Sequence, residues 1–442
     1  MRHARTLSRR AAARRRRSIS LGAGVVVVLG VAVLLAHLSG LTAAAQPKSG
    51  ASSSTSKRKV PPVPADNGLP AVQYSPTNLP PVWPGSVGQA LPYPVLIADR
   101  GNNRMLEVTP TGQIVWQFPP PAQASSLQFG YDDDTFFTPS GNSIITNEEA
   151  KSQVAVVSYY SRLITWTYGH YGTAGYFGGN LDYPDDAYRL PNGTTTIADI
   201  RNCRELFISP TGQVTQWGVN QKPWANYCQT NITSTAQTSE FGSPNGDTPQ
   251  PNGDILMSVI NGNWIALFSP SGKTLWKVQA PDIPNNGCQY VSDAQLLTDG
   301  NVLVADYAGP TQNPKGCPPV PGQVIIFNPQ TKQVIWRYDV SSGNGQLNHP
   351  SLAEPLPNGN IILNDDYNDR IVVIDPKTDQ IVWQYGHTGQ PGTAPGYLNT
   401  PDGLAVDYYR NWYAWLQQHP TSVSPKNSST VSGASATSST AS

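Results

Sequence analysis

Between Tyr93 and Asp407 the apolar residues come in short runs rich in Val, Ile and Leu, and each run is cut off by Gly, Asn, Asp or Pro. No helical period is sustained between these runs, so the pattern predicts strands joined by tight turns. In the clearest unit, Asn360 to Tyr385, it predicts three strands, Ile361–Leu363, Arg370–Ile374 and Gln380–Gln384. The segment ahead of each glycine turn, such as Asp185–Leu190, predicts a fourth. The pattern recurs. A tryptophan closes each unit, at Trp116, Trp166, Trp217, Trp276, Trp336 and Trp383, with separations of 50, 51, 59, 60 and 47 residues. Turns stand at Ser140-Gly141, Asn192-Gly193, Asn252-Gly253, Asp299-Gly300 and Asn358-Gly359, where glycine supplies the positive φ of a tight hairpin. Four antiparallel strands repeated six times describe an all-β, six-bladed β-propeller over residues 91–410, with the tryptophan wedged between neighbouring blades.

The ends of this region predict how the ring closes. The first unit begins abruptly at Tyr93-Pro94-Val95-Leu96-Ile97, and the last overruns into Pro401-Asp402-Gly403-Leu404-Ala405-Val406-Asp407. The late segment is therefore expected to supply the missing strand of the first blade, which removes the open edge a row of blades would leave.

The motifs Ala98-Asp99-Arg100-Gly101-Asn102-Asn103-Arg104, Ala198-Asp199-Ile200-Arg201-Asn202-Cys203-Arg204 and Asp365-Asp366-Tyr367-Asn368-Asp369-Arg370 resemble NHL-type repeats. The Gly-x-x-x-Trp endings, Gly112 to Trp116 and Gly272 to Trp276, resemble quinoprotein-like (PQQ-like) propeller repeats. Both resemblances imply a propeller scaffold and leave function open, because the fold hosts binders and enzymes alike. Asn348-His349-Pro350 running into Leu356-Pro357-Asn358-Gly359-Asn360 resembles the histidine segment of bacterial arylsulfotransferases. That resemblance implies His349 as a nucleophile that carries a sulfuryl group, and a cationic pocket around it.

Composition narrows the class. Gly (39) and Pro (41) are abundant among 442 residues while charged residues reach only 13%, which disfavours a helical bundle or coiled coil. The zero net charge conceals an asymmetry: 12 of the 29 Lys and Arg precede position 60, and all 29 Asp and Glu follow it. An acidic propeller lacks the clustered Lys and Arg that nucleic acid requires, and suits cations.

The ends carry targeting information. Residues 1–18 hold eight arginines, and 19–39 form an apolar stretch long enough for a signal-anchor helix. The arginine flank predicts that this end stays in the cytoplasm and that the propeller lies outside. The alternative is a secreted protein cleaved near Ala45. Residues 40–90 read as a Ser/Pro-rich linker, and 411–442 as an aromatic, then Ser/Thr-rich tail. The four cysteines, all in the extracytoplasmic part, are expected to pair as Cys203–Cys228 and Cys288–Cys317.

By the blade order that the resemblance implies, the strand before each glycine turn lines the central channel. Its first positions read Asp133-Asp134, Asp185-Asp186, Asn245-Gly246, Ser292-Asp293, Ser351-Leu352 and Asp402-Gly403. Asp134, Asp186, Asp293 and Asp402 are accordingly candidate ligands of Ca2+, a hard cation that takes several oxygens; solvated strand caps are the plainer reading. The Asp-to-Arg spacing at Asp99/Arg104, Asp199/Arg204 and Asp365/Arg370 reads as a salt bridge within the scaffold. His170, His349 and His387 lie in segments leading towards inner strands, and Arg189 is the nearest base on such a strand. Zinc, acyl-transfer and nucleotide motifs are missing. The expectation is a membrane-anchored module that binds a surface ligand or protein. An enzyme at the channel mouth, of arylsulfotransferase or metal-dependent lactonase type, is the alternative.

Overall fold

The computed structural model describes residues 89–218, 241–286, 290–310 and 320–410. They form six four-stranded antiparallel sheets. Blade two holds β4 (Asp132–Phe137), β5 (Ser143–Glu148), β6 (Gln153–Ser158) and β7 (Ile164–Gly169). Blade three holds β8 (Pro184–Arg189), β9 (Thr195–Asp199), β10 (Arg204–Ile208) and β11 (Val214–Gly218). Blade four holds β12 (Pro244–Pro249), β13 (Ile255–Val259), β14 (Trp264–Phe268) and β15 (Thr274–Gln279). Blade five holds β16 (Val291–Leu296), β17 (Val302–Asp306), β18 (Gln323–Phe327) and β19 (Val334–Tyr338). Blade six holds β20 (Ala353–Pro355), β21 (Ile361–Asp365), β22 (Arg370–Asp375) and β23 (Gln380–Gly386).

Blade one is composite. Its β1 (Val95–Asp99), β2 (Arg104–Val108) and β3 (Ile114–Phe118) are completed on the inner side by β24 (Gly403–Val406), with Val95 opposite Val406 and Ala98 opposite Gly403. The chain's late segment thus closes the ring as its sequence leads one to expect. The strands of the clearest unit run one or two residues beyond the expected ends, to Asp365, Asp375 and Gly386.

The core lies between blades, because each sheet buries both faces against its neighbours. Leu256, Ile265, Val302 and Ile325 join blades four and five, while Leu303, Val324, Leu363 and Val372 join five and six. The closing tryptophans stitch these seams from the outer strands. The Trp116 indole N–H donates to Tyr159 O at 2.8 Å, that of Trp336 to Asp379 Oδ1 at 2.9 Å, and that of Trp383 to Pro110 O at 2.9 Å, each in the next blade. Trp217 meets Phe268 with ring centroids 5.5 Å apart. The predicted glycine turns have positive φ, from 69° at Gly141 to 88° at Gly253.

Residues 19–39 lie outside the described part. Among the described residues no helix is long and apolar enough to cross a membrane.

Candidate functional site at the channel mouth

The mouth is built by a device that recurs from blade to blade. The second strand of five blades ends in a buried acid: Asp99, Glu148, Asp199, Asp306 and Asp365. Three of these take the Nε of the arginine that opens the next strand: Arg104 to Asp99 at 2.6 Å, Arg204 to Asp199 and Arg370 to Asp365 at 2.7 Å each. In blades two and five Gln153 and Gln323 replace the arginine, at 2.7 and 2.8 Å. The other carboxylate oxygen reaches sideways to the loop that leads into the inner strand. It accepts a backbone N–H from Asn399, Gly130, Asp182 and Asn348 in blades one, two, three and six, at 2.6–3.0 Å. The residue after that donor is then left-handed: Thr400 at φ 47°, Tyr131 at 57°, Tyr183 at 59° and His349 at 59°. Such a conformation costs a residue with a Cβ about 1 kcal/mol or more, and is held only where the surroundings impose it. The Asp–Arg pair, read correctly from sequence as scaffold, is therefore what aims the mouth.

Beyond the left-handed residue, the inner strands of blades two to five carry a bulge. Their ladders skip from Asp132 to Thr135, Pro184 to Ala187, Pro244 to Asp247 and Val291 to Ala294. A bulge releases residues from strict alternation. Both members of Asp133-Asp134, Asp185-Asp186, Asn245-Gly246 and Ser292-Asp293 consequently line one cavity of about 360 Å³. Ser351 and Asp402 line it from blades six and one. Gly246 leaves room for a neighbour, since a Cβ there would collide with Asp293 Oδ1.

All four carboxylates singled out in the sequence, Asp134, Asp186, Asp293 and Asp402, reach this cavity, but they are not equivalent. Asp402 is an ion-pair partner of Arg100 Nη1 and accepts from Ser351 Oγ at 3.0 Å. Burial raises the carboxyls of Asp134 and Asp186 well above the usual range; Asp186 adds to this for Asp134, and Asp293 and Asp247 for Asp186. Asp293, also buried, is pushed up to about 7. Among the described residues the set that could hold a metal ion is a different one: Asp133, Glu149 and Asp185, with ligand atoms within 4.8 Å of one another. Glu149 is pushed up to about 8, by burial and then by Asp133.

Two of these residues were not legible as functional. Arg100 and Glu149 directly follow the clamp acids Asp99 and Glu148, in turns that look like scaffold. The same position supplies Ile200, Ile260 and Tyr307 to the cavity from blades three, four and five. Arg100 places Nη1 2.9 Å from Asp133 Oδ1 and Nη2 2.8 Å from Glu149 Oε2, so the mouth carries a built-in cation. Burial works against the Arg100 charge, yet Asp133 and Glu149 more than reverse that and raise its pKa. Arg189, the base expected nearest the channel, instead lies over the Trp166 ring, 5.0 Å from its centroid.

Of the three histidines, His349 alone is among the residues that line the cavity. It is 2% exposed, with Nδ1 2.8 Å from Asn348 Oδ1 and ring centroids 4.7 Å from Tyr307 and 4.3 Å from Tyr367. Burial lowers its pKa to about 4, so the imidazole is neutral at physiological pH. His170 is held by Asn180, 2.6 Å away, and the exposed His387 packs on Tyr397. Cys203 occupies a left-handed turn position and is not a free thiol; Cys228, Cys288 and Cys317 lie outside the described residues.

Residues 239–420 match the family of the outer membrane protein assembly factor BamB, whose repeats are PQQ-like. That match spans blades four to six and the closing strand β24. No curated protein matches the chain. Among solved structures, a protein of unknown function from Bacteroides caccae is 14% identical, with a TM-score of 0.47, covering 71% of this chain and 97% of that one. A hydrazine synthase chain from Kuenenia stuttgartiensis is 13% identical, with a TM-score of 0.43, covering 70% and 81%. A catalytically inactive virginiamycin B lyase from Staphylococcus aureus, with quinupristin, is 13% identical, with a TM-score of 0.39, covering 59% and 71%. The motifs particular to NHL repeats gain no support from these matches.

Proposed function

We propose that this PQQ-like propeller is a binding module tethered to the outer face of a membrane by residues 19–39, and that it captures a positively charged ligand at its channel mouth. One observation carries the reading: seven carboxyl groups line the cavity against two arginines, and Arg100 is already engaged by Asp133, Glu149 and Asp402. A matching family named for an assembly factor agrees with a binding role over a catalytic one. Thermal melts of the full-length protein with Ca2+, spermidine, simple amines and sulfate test it. Cations should raise the melting temperature and sulfate should not; no response to any cation overturns the reading. A reporter joined after Ser442 that works only in the cytoplasm would overturn the tethered orientation.

The pairings Cys203–Cys228 and Cys288–Cys317 belong to the same extracytoplasmic reading. Non-reducing peptide mapping should recover both; crossed pairs or four free thiols count against them. Each loop of about 25–30 residues closed this way contributes roughly 3–4 kcal/mol in the chain-entropy account.

The enzyme alternative draws on the neutral, buried imidazole of His349 in the cavity wall. An anionic sulfate donor would meet carboxyls there instead of free cations. Transfer from an aryl sulfate to a phenol, abolished in His349→Ala, would replace the binding reading with the transferase.

A further inference from the structure

The six outer strands are not equivalent. In five blades the ladder between the third and the outer strand shifts by one residue just ahead of the closing tryptophan. Trp116, Trp166, Trp276, Trp336 and Trp383 thereby stand opposite the fourth residue of the third strand: Glu107, Val156, Leu267, Ile326 and Val373. In blade three the ladder runs without a shift. Thr215 stands opposite the fourth residue, Phe207, and Trp217 opposite the second, Glu205. Trp217 therefore takes the place that Phe118, Tyr168, Val278, Tyr338 and Tyr385 hold in the other blades. The spacing agrees, since Trp217 lies five residues after Gly212, whereas Trp116 and Trp276 lie four after Gly112 and Gly272.

A threonine thus holds the tryptophan seat between blades three and four, and a groove of about 490 Å³ lies beside it. Phe207, Thr215 and Trp217 line this groove from blade three, and Gly253, Ile255 and Pro270 from blade four. Its volume falls within the range of small-molecule sites. None of its lining residues is charged, and none lines the mouth cavity.

The filled seats show what such a place holds. Trp116 stacks on Tyr159 and on Phe118, with ring centroids 5.1 and 6.3 Å apart, and Trp166 stacks on Tyr168 at 6.3 Å. Trp217 offers the same partner as Phe118 and Tyr168. The indole N–H of Trp116 and of Trp383 donates to the carbonyl of Tyr159 and of Pro110 in the next blade. Those acceptors stand two residues past the last rung of their ladders, Val157 and Val108, and Pro270 stands two past Phe268, the last rung in blade four.

We infer that the groove between blades three and four is a second binding site, for a neutral indole ring that occupies the vacated tryptophan seat, stacks on Trp217 and donates its N–H to the Pro270 carbonyl. This does not depend on the cation-binding reading of the mouth.

The test is calorimetric titration of the full-length protein with indole, 1-methylindole and N-acetyl-L-tryptophanamide. Indole should bind one per chain, and 1-methylindole, which lacks the N–H, should bind roughly 2–10-fold more weakly. Equal binding of 1-methylindole would overturn the assigned orientation. If the tryptophan amide binds as tightly as indole, the ring comes from a peptide; if it is excluded, the ligand is the free ring. Thr215→Trp should fill the seat from within the chain, raise the melting temperature and abolish indole binding, while Thr215→Ser should leave binding unchanged. Should Thr215→Trp fail to fold, Thr215→Leu narrows the seat and should weaken indole ~10-fold. Absence of indole binding, or wild-type affinity in folded Thr215→Trp, overturns the inference. Saturating Ca2+ should leave indole binding unchanged, so that either site can fail its test without the other.

Discussion

Glu149 and Glu354 are pushed up to about 8 and Asp247 and Asp293 to about 7, in each case first by burial.

 An unfolded chain would titrate the same groups near pH 4. Because the folded pKa is the higher one, the folded protein holds more protons between those values. The stability these groups contribute is therefore fully present below about pH 4 and is lost as the pH rises through 7 to 8. Without ligand, the melting temperature should fall from pH 5 to pH 8.5, and a bound cation should flatten the slope. Asp293→Asn should raise the melting temperature at pH 8.5 by removing a buried charge, an effect of about 1–3 kcal/mol, and change it little at pH 5. An unfolding profile independent of pH would contradict this. The same residues show how far a sequence can be read. The doubled Asp pairs announced an acidic mouth, but alternation along a strand allows only one of two neighbours to face the channel, and the bulge that turns both inward leaves no mark in the residue pattern. Arg100 and Glu149 stayed hidden because they sit inside a motif whose other members are scaffold.

At the level of strands and turns, the sequence was more legible. Asx-Gly turns and closing tryptophans bound each strand, and their geometry depends on local φ and on one large side chain, both visible in a single chain. The Asp–Arg spacing was legible as an ion pair, whereas its second task was not. The oxygen of Asp365 that accepts from Asn348 spans 17 residues and fixes the left-handed turn at His349. Breaking this clamp should cost more than a surface pair. Arg370 is the largest fully buried side chain among the described residues and also donates to Asn344 O and Gln346 O. Arg370→Leu should thus destabilise by about 3–5 kcal/mol, since Asp365 is left buried without its charge partner. Asp365→Asn should lose less stability yet still disturb the His349 side of the mouth. Denaturant unfolding separates the two: equal losses would mean that the unpaired Asp365 charge carries no weight.

For the whole molecule, closure is the decisive event. The strand β24 is only four residues long, but it seals blade one, and Arg410 follows it with an ion pair to Asp407 at 3.1 Å and its guanidinium 3.4 Å from the Tyr159 ring centroid. Tyr159 in turn donates to Glu107 Oε2 at 2.5 Å, so blades one and two are tied beneath the closing strand. A chain ending at Thr400 should lose the inner edge of blade one, expose β1, and fail to unfold as a single cooperative unit. Size-exclusion chromatography and thermal melts would show association and a broadened transition; a monomer with an unchanged melt would contradict the closure account.

The clamp separates where a mouth side chain sits from what that side chain is. In four blades a backbone amide and a buried acid fix the approach to the opening, and the chemistry at each place around it varies: Arg100, Glu149, Ile200, Ile260 and Tyr307 occupy one such place in blades one to five, and Asp402, Asp133, Asp185, Asn245, Ser292 and Ser351 another in blades one to six. The opening behaves like a printed line of type set in a fixed frame. Individual letters can be exchanged without resetting the frame, so a propeller of this kind can acquire a new ligand by a few substitutions at its rim while its blades, seams and closing strand stay as they are.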